Sequence, residues 1–289
     1  MKNGSFFVPT EQLAGFMKNP EMKNCEGLLL SWETDPAVAR RILPPPLELI
    51  DPQHPVVSAY VVNIREPTFA PWYMEACIGL LCRYREIPGI TLLNLQLSGP
   101  GALMGLCTGR EGSGLPKKLC ERIIVERTDD YARAFVEAKG RRIFDVEVEL
   151  NPPGMPELAE AAKAKRGAKE RGSCFVFTTE LRVGSVPADG ITLSRARLLN
   201  YDNVNAFEVC EPGAIKSIAM EPSLDDPWAE LSVVKPLYGA WSVYSNPILG
   251  TSVLAEFQDA EANKLFPYLF AGRFDRSTIC PGHQRYGQF

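Results

Sequence analysis

Two adjacent lysines form the part of the sequence that points most directly to chemistry. Residues 109–119 read Gly-Arg-Glu-Gly-Ser-Gly-Leu-Pro-Lys-Lys-Leu, so Lys117 and Lys118 follow a proline at the end of a glycine-rich turn. If this turn is packed into an apolar interior, burial and a neighbouring cation both disfavour the ammonium form of a lysine. A neutral lysine amine can attack a ketone carbonyl and form a Schiff base. The alternative is an exposed basic pair on a surface turn, because lysine is rarely buried without a partner.

Three other residues are candidates for a site around the lysines. Glu75 begins the apolar run at residues 74–81, where a buried carboxylate requires a basic partner nearby. An exposed strand end is the alternative for that position. Tyr60 lies within a β-branched run, where most tyrosines are core residues with a satisfied hydroxyl. Arg110 precedes Glu111, which favours a structural ion pair at the turn.

The sequence does not cluster residues as a metal site requires. Its two histidines, His54 and His283, lie in segments marked by proline or glycine, and its eight cysteines form no C-x-x-C pair. No G-x-S-x-G motif accompanies a candidate catalytic triad. We therefore expect free thiols, no metal and no cofactor, with proton transfers carried by carboxylates, tyrosines and lysines.

Composition restricts the class of protein. Among 289 residues, 45% are hydrophobic and 23% are charged, which is typical of a soluble globular protein. A net charge of −4 argues against a nucleic-acid partner. No apolar run is long enough to span a bilayer, and the first residues lack the apolar core of a secretory signal. These features predict a cytoplasmic protein without membrane partners.

The pattern along the chain predicts an α+β fold that is mainly antiparallel β, with a few peripheral helices in one domain over residues 1–289. Thr34-Asp35-Pro36 is a helix start, and the helix should end before Pro44. Residues 1–24 are predicted to be an irregular leader. Residues 156–171 are alanine-rich and charged without a strong apolar stripe, which predicts a solvated surface helix inserted between strands. The predicted strands are residues 27–32, 55–64, 74–84, 90–97, 122–127, 133–138, 141–150, 174–183 and 191–199, with more from 233 to 257.

Three ordered segments resemble the acetoacetate decarboxylase family. The run at 109–119 is similar to the family's lysine motif, residues 34–48 to its helix and proline-rich segment, and Tyr-Met-Glu-Ala at 73–76 to the segment with its catalytic glutamate. The resemblance covers roughly residues 27–120. It implies a β-barrel or cone-like fold, a Schiff base on Lys117, a proton-transfer role for Glu75 and a homo-oligomer. Acetoacetate decarboxylase is itself the known example of a lysine activated in apolar surroundings beside another cation, so this mechanism comes to Lys117 from the resemblance.

Two positions depart from the family pattern. An arginine expected before the first strand is replaced by Cys25, and a glutamate on the second strand by Tyr60. Loss of the arginine removes the obvious contact for a small substrate carboxylate. Arg65, Arg83 and Arg110 are candidates to replace that cation.

The resulting prediction is a Schiff-base lyase that decarboxylates a β-keto acid through a Lys117 iminium and an enamine. The predicted catalytic residues are Lys117 and Glu75, with Lys118, Tyr60 and Arg110 in supporting or substrate-binding positions. An aldolase, dehydratase or cyclase using the same imine on a larger keto substrate is the first alternative. A non-catalytic binding protein of the same fold is the second. The expected partner is a small keto acid or ketone.

Overall fold

Twelve strands pair into one sheet in the computed structural model, which describes residues 5–16, 18–182 and 190–280. The strands are β1 (Glu21–Glu33), β2 (Glu48–Leu49), β3 (Val56–Pro67), β4 (Tyr73–Tyr84), β5 (Ile87–Ser98), β6 (Lys117–Leu119), β7 (Arg122–Thr128), β8 (Tyr131–Ala138), β9 (Arg141–Leu150), β10 (Lys169–Leu181), β11 (Leu193–Ala219) and β12 (Lys235–Gln258).

Short helices lie between the strands or at their ends. They are α1 (Thr10–Leu13), α2 (Pro36–Ile42), α3 (Ala102–Leu106), α4 (Pro156–Lys165) and α5 (Asp259–Leu269). A π-helical turn, Cys107–Glu111, continues α3, and 3-10 turns occupy Trp228–Glu230 and Arg276–Thr278. No helix within the described ranges combines the length and apolar character needed to cross a membrane.

The sheet is mostly antiparallel, as the sequence predicted. Its order is β10-β5-β4-β3-β1-β12-β11-β9-β8-β7, and β10 also pairs with β11. The pairings therefore run in a circuit through β5, β4, β3, β1, β12, β11 and β10. Strands β6 and β10 each pair in parallel with β5. Strand β10 pairs with residues 90–91 of β5 and β6 pairs with residues 95–97, so the turn that precedes β6 lies next to β5.

The start of α2 confirms the predicted helix cap. The Asp35 carboxylate accepts hydrogen bonds from the backbone N–H groups of Ala37 and Val38, and Pro36 occupies the first helical position. The helix ends before the proline run at residues 44–46, since proline cannot supply the N–H that a continuing helix needs.

Three predicted boundaries were clearly wrong. The strand predicted to end at residue 199 continues as β11 to Ala219. Strand β1 begins at Glu21, so the end of the predicted irregular leader belongs to the sheet, where Met22 pairs with Pro67 of β3. Residues 169–171, predicted as part of the inserted helix, begin β10. Residues 1–4 and 17 of the predicted leader, residue 183 of a predicted strand, and His283 lie outside the described residues.

Helix α4 is less solvated than its composition indicated. Ala162 is 1% exposed and packs with Cys210 of β11 and with Ala240 and Tyr238 of β12. An apolar stripe is not required for this contact, because alanine lets the helix backbone approach the sheet closely. Helix α4 therefore packs against strands that line the interior, while its outer face carries charges.

The core has two main clusters of buried side chains. The larger contains Trp32, Phe144 and Trp228, whose rings pack in sequence with centroid distances of 6.2 Å and 5.5 Å. The smaller surrounds the interior of the strand circuit and includes Tyr73 and Leu97. Burial of these large side chains provides the rigid walls on which polar side chains are placed.

Candidate active site

The register of four neighbouring strands brings the predicted site residues together. Tyr60 of β3 is opposite Cys77 of β4, Cys77 is opposite Leu95 of β5, and Leu95 is opposite Lys117 of β6. Residues opposite one another point to the same face of a sheet, and so do residues two apart on one strand. Glu75 lies two residues before Cys77. Tyr60, Glu75 and Lys117 consequently share one face.

Glu75 is the centre of a hydrogen-bonded chain. The Lys117 Nζ donates to Glu75 Oε2 over 2.8 Å, and the Tyr60 hydroxyl donates to Glu75 Oε1 over 2.7 Å. Lys117 is 3% exposed and Glu75 is 2% exposed. The interior position of Glu75, with a basic partner beside it, excludes the exposed strand end that was its alternative.

The surrounding hydroxyl and thiol groups hold their protons. Burial, followed by the negative charge of Glu75, raises the pKa of the Tyr60 hydroxyl well above its usual value. The same two causes raise the pKa of Tyr73, and burial followed by the charge of Glu75 raises the pKa of the Cys25 thiol. Because Tyr60 stays protonated at neutral pH, it can serve as a hydrogen-bond donor to the Glu75 carboxylate.

Lys118 points to the opposite face of β6. Its Nζ donates to the Asp225 carbonyl oxygen over 2.7 Å and to Asp226 Oδ1 over 3.1 Å, and it lies 3.1 Å from Asp275 Oδ1. Its charge is thus matched by carboxylates on the side of the strand away from Glu75. Lys117 is buried beside an apolar cavity, so the exposed basic pair that was the alternative is excluded. Lys118 does not act as an unpaired cation next to it.

A close backbone approach fixes the Lys117 side chain. A Cβ atom added to Gly109, in the π-helical turn, would lie 2.8 Å from both Cδ and Cε of Lys117. Gly109 therefore allows the turn to cover the lysine side chain. The backbone N–H of Leu115 donates to the Gly109 carbonyl over 3.1 Å, which ties the two ends of the turn together.

Arg110 supports this turn from outside the cavity. It approaches Glu111 over 3.4 Å, as the predicted ion pair requires, and it donates to the Arg273 carbonyl oxygen over 3.1 Å. The guanidinium of Arg273 in turn donates to the carbonyl oxygens of Gly114 and Phe177. Burial, and then the charge of Arg110, lowers the pKa of Arg273 to about 10. Arg273 was missed in the sequence because only the fold brings it to residue 114.

A cavity of about 470 Å³ lies in front of Lys117. Its size is within the range of roughly 300–1,000 Å³ for small-molecule sites. The wall is largely apolar, and its lining residues include the catalytic candidates Lys117 and Glu75 and the supporting candidate Tyr60. Other apolar and aromatic lining residues are Met22, Leu29, Val62, Ile64, Phe69, Leu92, Leu115, Phe207, Tyr244 and Ile248.

The cavity holds few positive charges. Within the described part of the chain, the cations that line it are Lys117 and Lys165. Arg65 pairs with Glu26 and Arg83 with Glu48, both at exposed positions, so neither replaces the missing arginine inside the cavity. Nothing in the sequence distinguished Lys165 from the other charged residues of the predicted helix. It was overlooked because helix α4 was expected to lie on the surface.

No group of three or more His, Cys, Asp or Glu side chains in the described ranges is arranged to hold a metal ion. The chemistry that these residues can supply is that of an amine, a carboxylate and a phenol. A buried amine next to a carboxylate can form an imine and exchange protons with it.

The chain is similar to known proteins of one family. The family model described as acetoacetate decarboxylase (ADC) matches residues 6–257. A protein named CLA biosynthesis isomerase from Lactiplantibacillus plantarum is 33% identical over 282 residues, covering 96% of this chain and 97% of that protein. An acetoacetate decarboxylase from Acidiphilium cryptum is 31% identical over 126 residues, covering 41% of this chain and 49% of that protein.

A solved structure shows the same fold. The crystal structure of acetoacetate decarboxylase from Legionella pneumophila superposes with a TM-score of 0.66 at 19% identity, covering 83% of this chain and 88% of that one. The family match spans most of the sequence, and the mostly antiparallel fold agrees with it. The chain belongs to the acetoacetate decarboxylase family.

Proposed function

We propose that the protein is a Schiff-base-forming enzyme in which Lys117 attacks the carbonyl carbon of a ketone. The observation that carries this proposal is the buried contact of 2.8 Å between Lys117 Nζ and Glu75, at the wall of an apolar cavity. A buried lysine of this kind costs stability, which a protein that only binds ligands has no reason to retain. A pure binding role is therefore the weaker alternative.

Each step of imine formation has a group in reach. Glu75 takes a proton from the Lys117 ammonium, and the free amine adds to the ketone carbon. The carbonyl oxygen leaves as water after it has received two protons, one from the nitrogen that was added and one that Glu75 returns. The product is an iminium, which draws electrons from the bonds of the neighbouring carbon. Tyr60 keeps one oxygen of Glu75 in place during these transfers.

The reaction we propose after imine formation is a proton shift that moves a carbon–carbon double bond. Glu75 removes a proton from the carbon between the iminium and the double bond, which gives a dienamine. Return of a proton to the far end of the conjugated system gives a conjugated iminium. Water then releases the conjugated ketone and free Lys117, so atoms and charge balance without an added oxidant or reductant.

Two observations favour isomerisation. The relative that matches 96% of this chain is named an isomerase. In addition, Lys165 is the one other lysine or arginine among the lining residues of the described chain, so no arginine there is available to hold the carboxylate of a β-keto acid. A proton shift needs no such contact.

Decarboxylation, the leading prediction from the sequence, is the second candidate. It is supported by the family description and by the Acidiphilium cryptum relative. The same iminium would accept the electrons of the carbon–carboxylate bond, and carbon dioxide would leave. A proton delivered through Glu75 would convert the resulting enamine to an iminium, and water would release the ketone and free Lys117. The structure contains the lysine and carboxylate that this route shares with isomerisation.

A paired assay separates the reactions. The enzyme is supplied in deuterium oxide with a β,γ-unsaturated ketone or with a β-keto acid, and products are followed by NMR and by carbon dioxide release. Isomerisation predicts the conjugated ketone with deuterium at the position that receives the proton. Carbon dioxide release without any conjugated ketone would favour decarboxylation. Loss of both activities in Lys117→Ala is expected, and retention of either would reject the imine mechanism.

A further inference from the structure

We propose that Lys165 binds a carboxylate of the substrate at a distance from the reacting ketone. This inference rests on the proposed function and names its substrate class, a keto acid with an apolar chain between the ketone and the carboxylate. The proposed subsite consists of Lys165, Glu170, Phe207 and Tyr238, which all line the cavity that contains Lys117.

The cavity is long enough for such a molecule. Alternate residues of β3 line it from Val56 through Ser58, Tyr60 and Val62 to Ile64. At roughly 3.3 Å per residue, this part of the strand extends about 26 Å. A keto acid of only a few carbons would leave most of that apolar wall uncovered, whereas an extended chain would bury it.

Lys165 lies at the solvent-facing part of the cavity. Its side chain is 30% exposed, compared with 4% for Lys117. The Nζ of Lys165 is 5.3 Å from the ring centre of Phe207 and 5.7 Å from that of Tyr238. The two rings hold the ammonium at the cavity wall by cation–π attraction, where a carboxylate at the end of a bound chain can pair with it.

The anion that now accompanies Lys165 can be exchanged. Its Nζ is 3.0 Å from Glu170 Oε2, and the side chain of Glu170 is 44% exposed. Exposed ion pairs of this kind contribute about 0–1 kcal/mol, so a substrate carboxylate can compete for the lysine. A bound ligand would also shield the new pair from water.

The charges of the cavity determine the orientation of an acidic substrate. Once Lys117 has formed an iminium, its positive charge is matched by Glu75, so no unmatched cation is left there for a substrate carboxylate. Lys165 is then the remaining lysine or arginine among the described lining residues. The ketone is therefore expected near Lys117 and the carboxylate near Lys165.

Direct binding of decanoate tests the subsite separately from the imine chemistry, since decanoate has no ketone. Calorimetry would compare decanoate with uncharged 1-decanol, using the full-length protein. Lys165→Gln is expected to weaken decanoate binding about tenfold, as for loss of a hydrogen bond to a charged group, and to change decanol binding less than twofold. Glu170→Gln should strengthen decanoate binding about two- to fivefold, because it removes the competing carboxylate.

Lys163→Gln is the matched control, because Lys163 lies on the same helix with a side chain that is 79% exposed and does not line the cavity. It should bind both ligands as the unmodified protein does. Absence of decanoate binding, or an equal loss of decanoate and decanol affinity in Lys165→Gln, would overturn the proposal. Failure of Lys117 to form an imine would appear only with ketones, so the two proposals fail separately.

With a ketone substrate, the same variant gives a kinetic readout. For a medium-chain keto acid, Lys165→Gln should raise KM about tenfold and leave kcat unchanged, since the contact is the same in the ground and transition states. For the ketone of equal length without a carboxylate, both constants should be unaffected. A fall in kcat for both substrates would show that Lys165 supports the fold of the site instead of binding the carboxylate.

Discussion

Lys117 and Lys118 are adjacent in sequence and almost equally buried, at 3% and 6% exposure, yet they have opposite surroundings. Lys117 has one carboxylate partner, Glu75, and lines an apolar cavity. Lys118 lies among Asp226, Asp275 and the Asp225 carbonyl oxygen. The difference follows from the alternation of side chains along β6, which turns neighbouring residues to opposite faces of the sheet.

The comparison shows how one short strand supplies both a reactive and a structural amine. Burial alone does not distinguish the two lysines. Access to a cavity and the number of compensating carboxylates do, because a lysine surrounded by anionic partners offers no free approach to a ketone. We therefore expect substitutions of Lys117 to affect reaction and substitutions of Lys118 to affect stability.

The largest effect is expected for Lys117→Ala. Removal of the attacking amine should lower turnover of the ketone substrate at least about 1,000-fold, since no other group can replace a covalent nucleophile. Initial rates with the isomerisation assay measure this loss, and circular dichroism checks that the variant is folded. Residual activity above one tenth of the original would contradict the assigned role of Lys117.

The contrast predicts a different outcome for Lys118→Met. This substitution leaves Asp226, which is 1% exposed, without one of its cationic partners, and breaking a buried ion pair costs about 3–5 kcal/mol. The free energy of unfolding in urea should fall by that amount, while the fraction that stays folded still forms an imine. Lys117→Met should cost less, because Lys117 has one carboxylate partner, whereas Lys118 contacts Asp226, Asp275 and the carbonyl oxygen of residue 225. Equal decreases in the free energy of unfolding for Lys117→Met and Lys118→Met would contradict the structural role assigned to Lys118.

Glu75→Gln tests whether Glu75 transfers protons in addition to holding Lys117 in place. The amide keeps the size of the carboxylate but cannot shuttle a proton, so turnover should fall about 100- to 10,000-fold. Tyr60→Phe, which removes only the hydrogen bond to Glu75, should lower turnover about tenfold. Rapid-quench kinetics would measure both. A larger effect of Tyr60→Phe than of Glu75→Gln would reverse the proposed order of roles.

The smallest effect concerns pH and the Lys118 side of the strand. Burial opposes ionisation of Asp275, but its hydrogen bond with Lys139 and the charge of Lys118 together hold its pKa below the usual value. A carboxyl with a lowered pKa in the fold stabilises the protein above the unfolded-state pKa of about 3.9, and this contribution is lost as pH falls further. The free energy of unfolding in urea should therefore fall between pH 5 and about 3. In Asp275→Asn the free energy of unfolding should depend less on pH in this range.

Much of the site could be predicted from the sequence because its residues lie in short motifs. Lys117 and Glu75 were identified because they lie in segments that resemble the family's motifs and follow one another in the same order. The alternation of side chains along β4 predicts which residues share a face with Glu75. The mostly antiparallel fold followed from β-branched runs separated by turns. These signals are local, so one sequence is sufficient to find them.

The remaining features depend on contacts between distant segments. Arg273 supports a turn at residue 114, and Asp226 is brought to Lys118 by the fold. Helix α4 gave no amphipathic signal because its contact with the sheet includes a small side chain, Ala162. Lys165 was therefore overlooked as a lining residue of the cavity. Tertiary packing of this kind cannot be derived from periodicity.

Reductive trapping tests the central claim most directly. The protein is incubated with a ketone and sodium borohydride, digested, and mapped by mass spectrometry. We predict one adduct on the peptide that contains both lysines, with fragmentation that assigns it to Lys117, and no adduct in Lys117→Ala. An adduct on Lys118, or no adduct with any ketone or keto acid, would contradict the account.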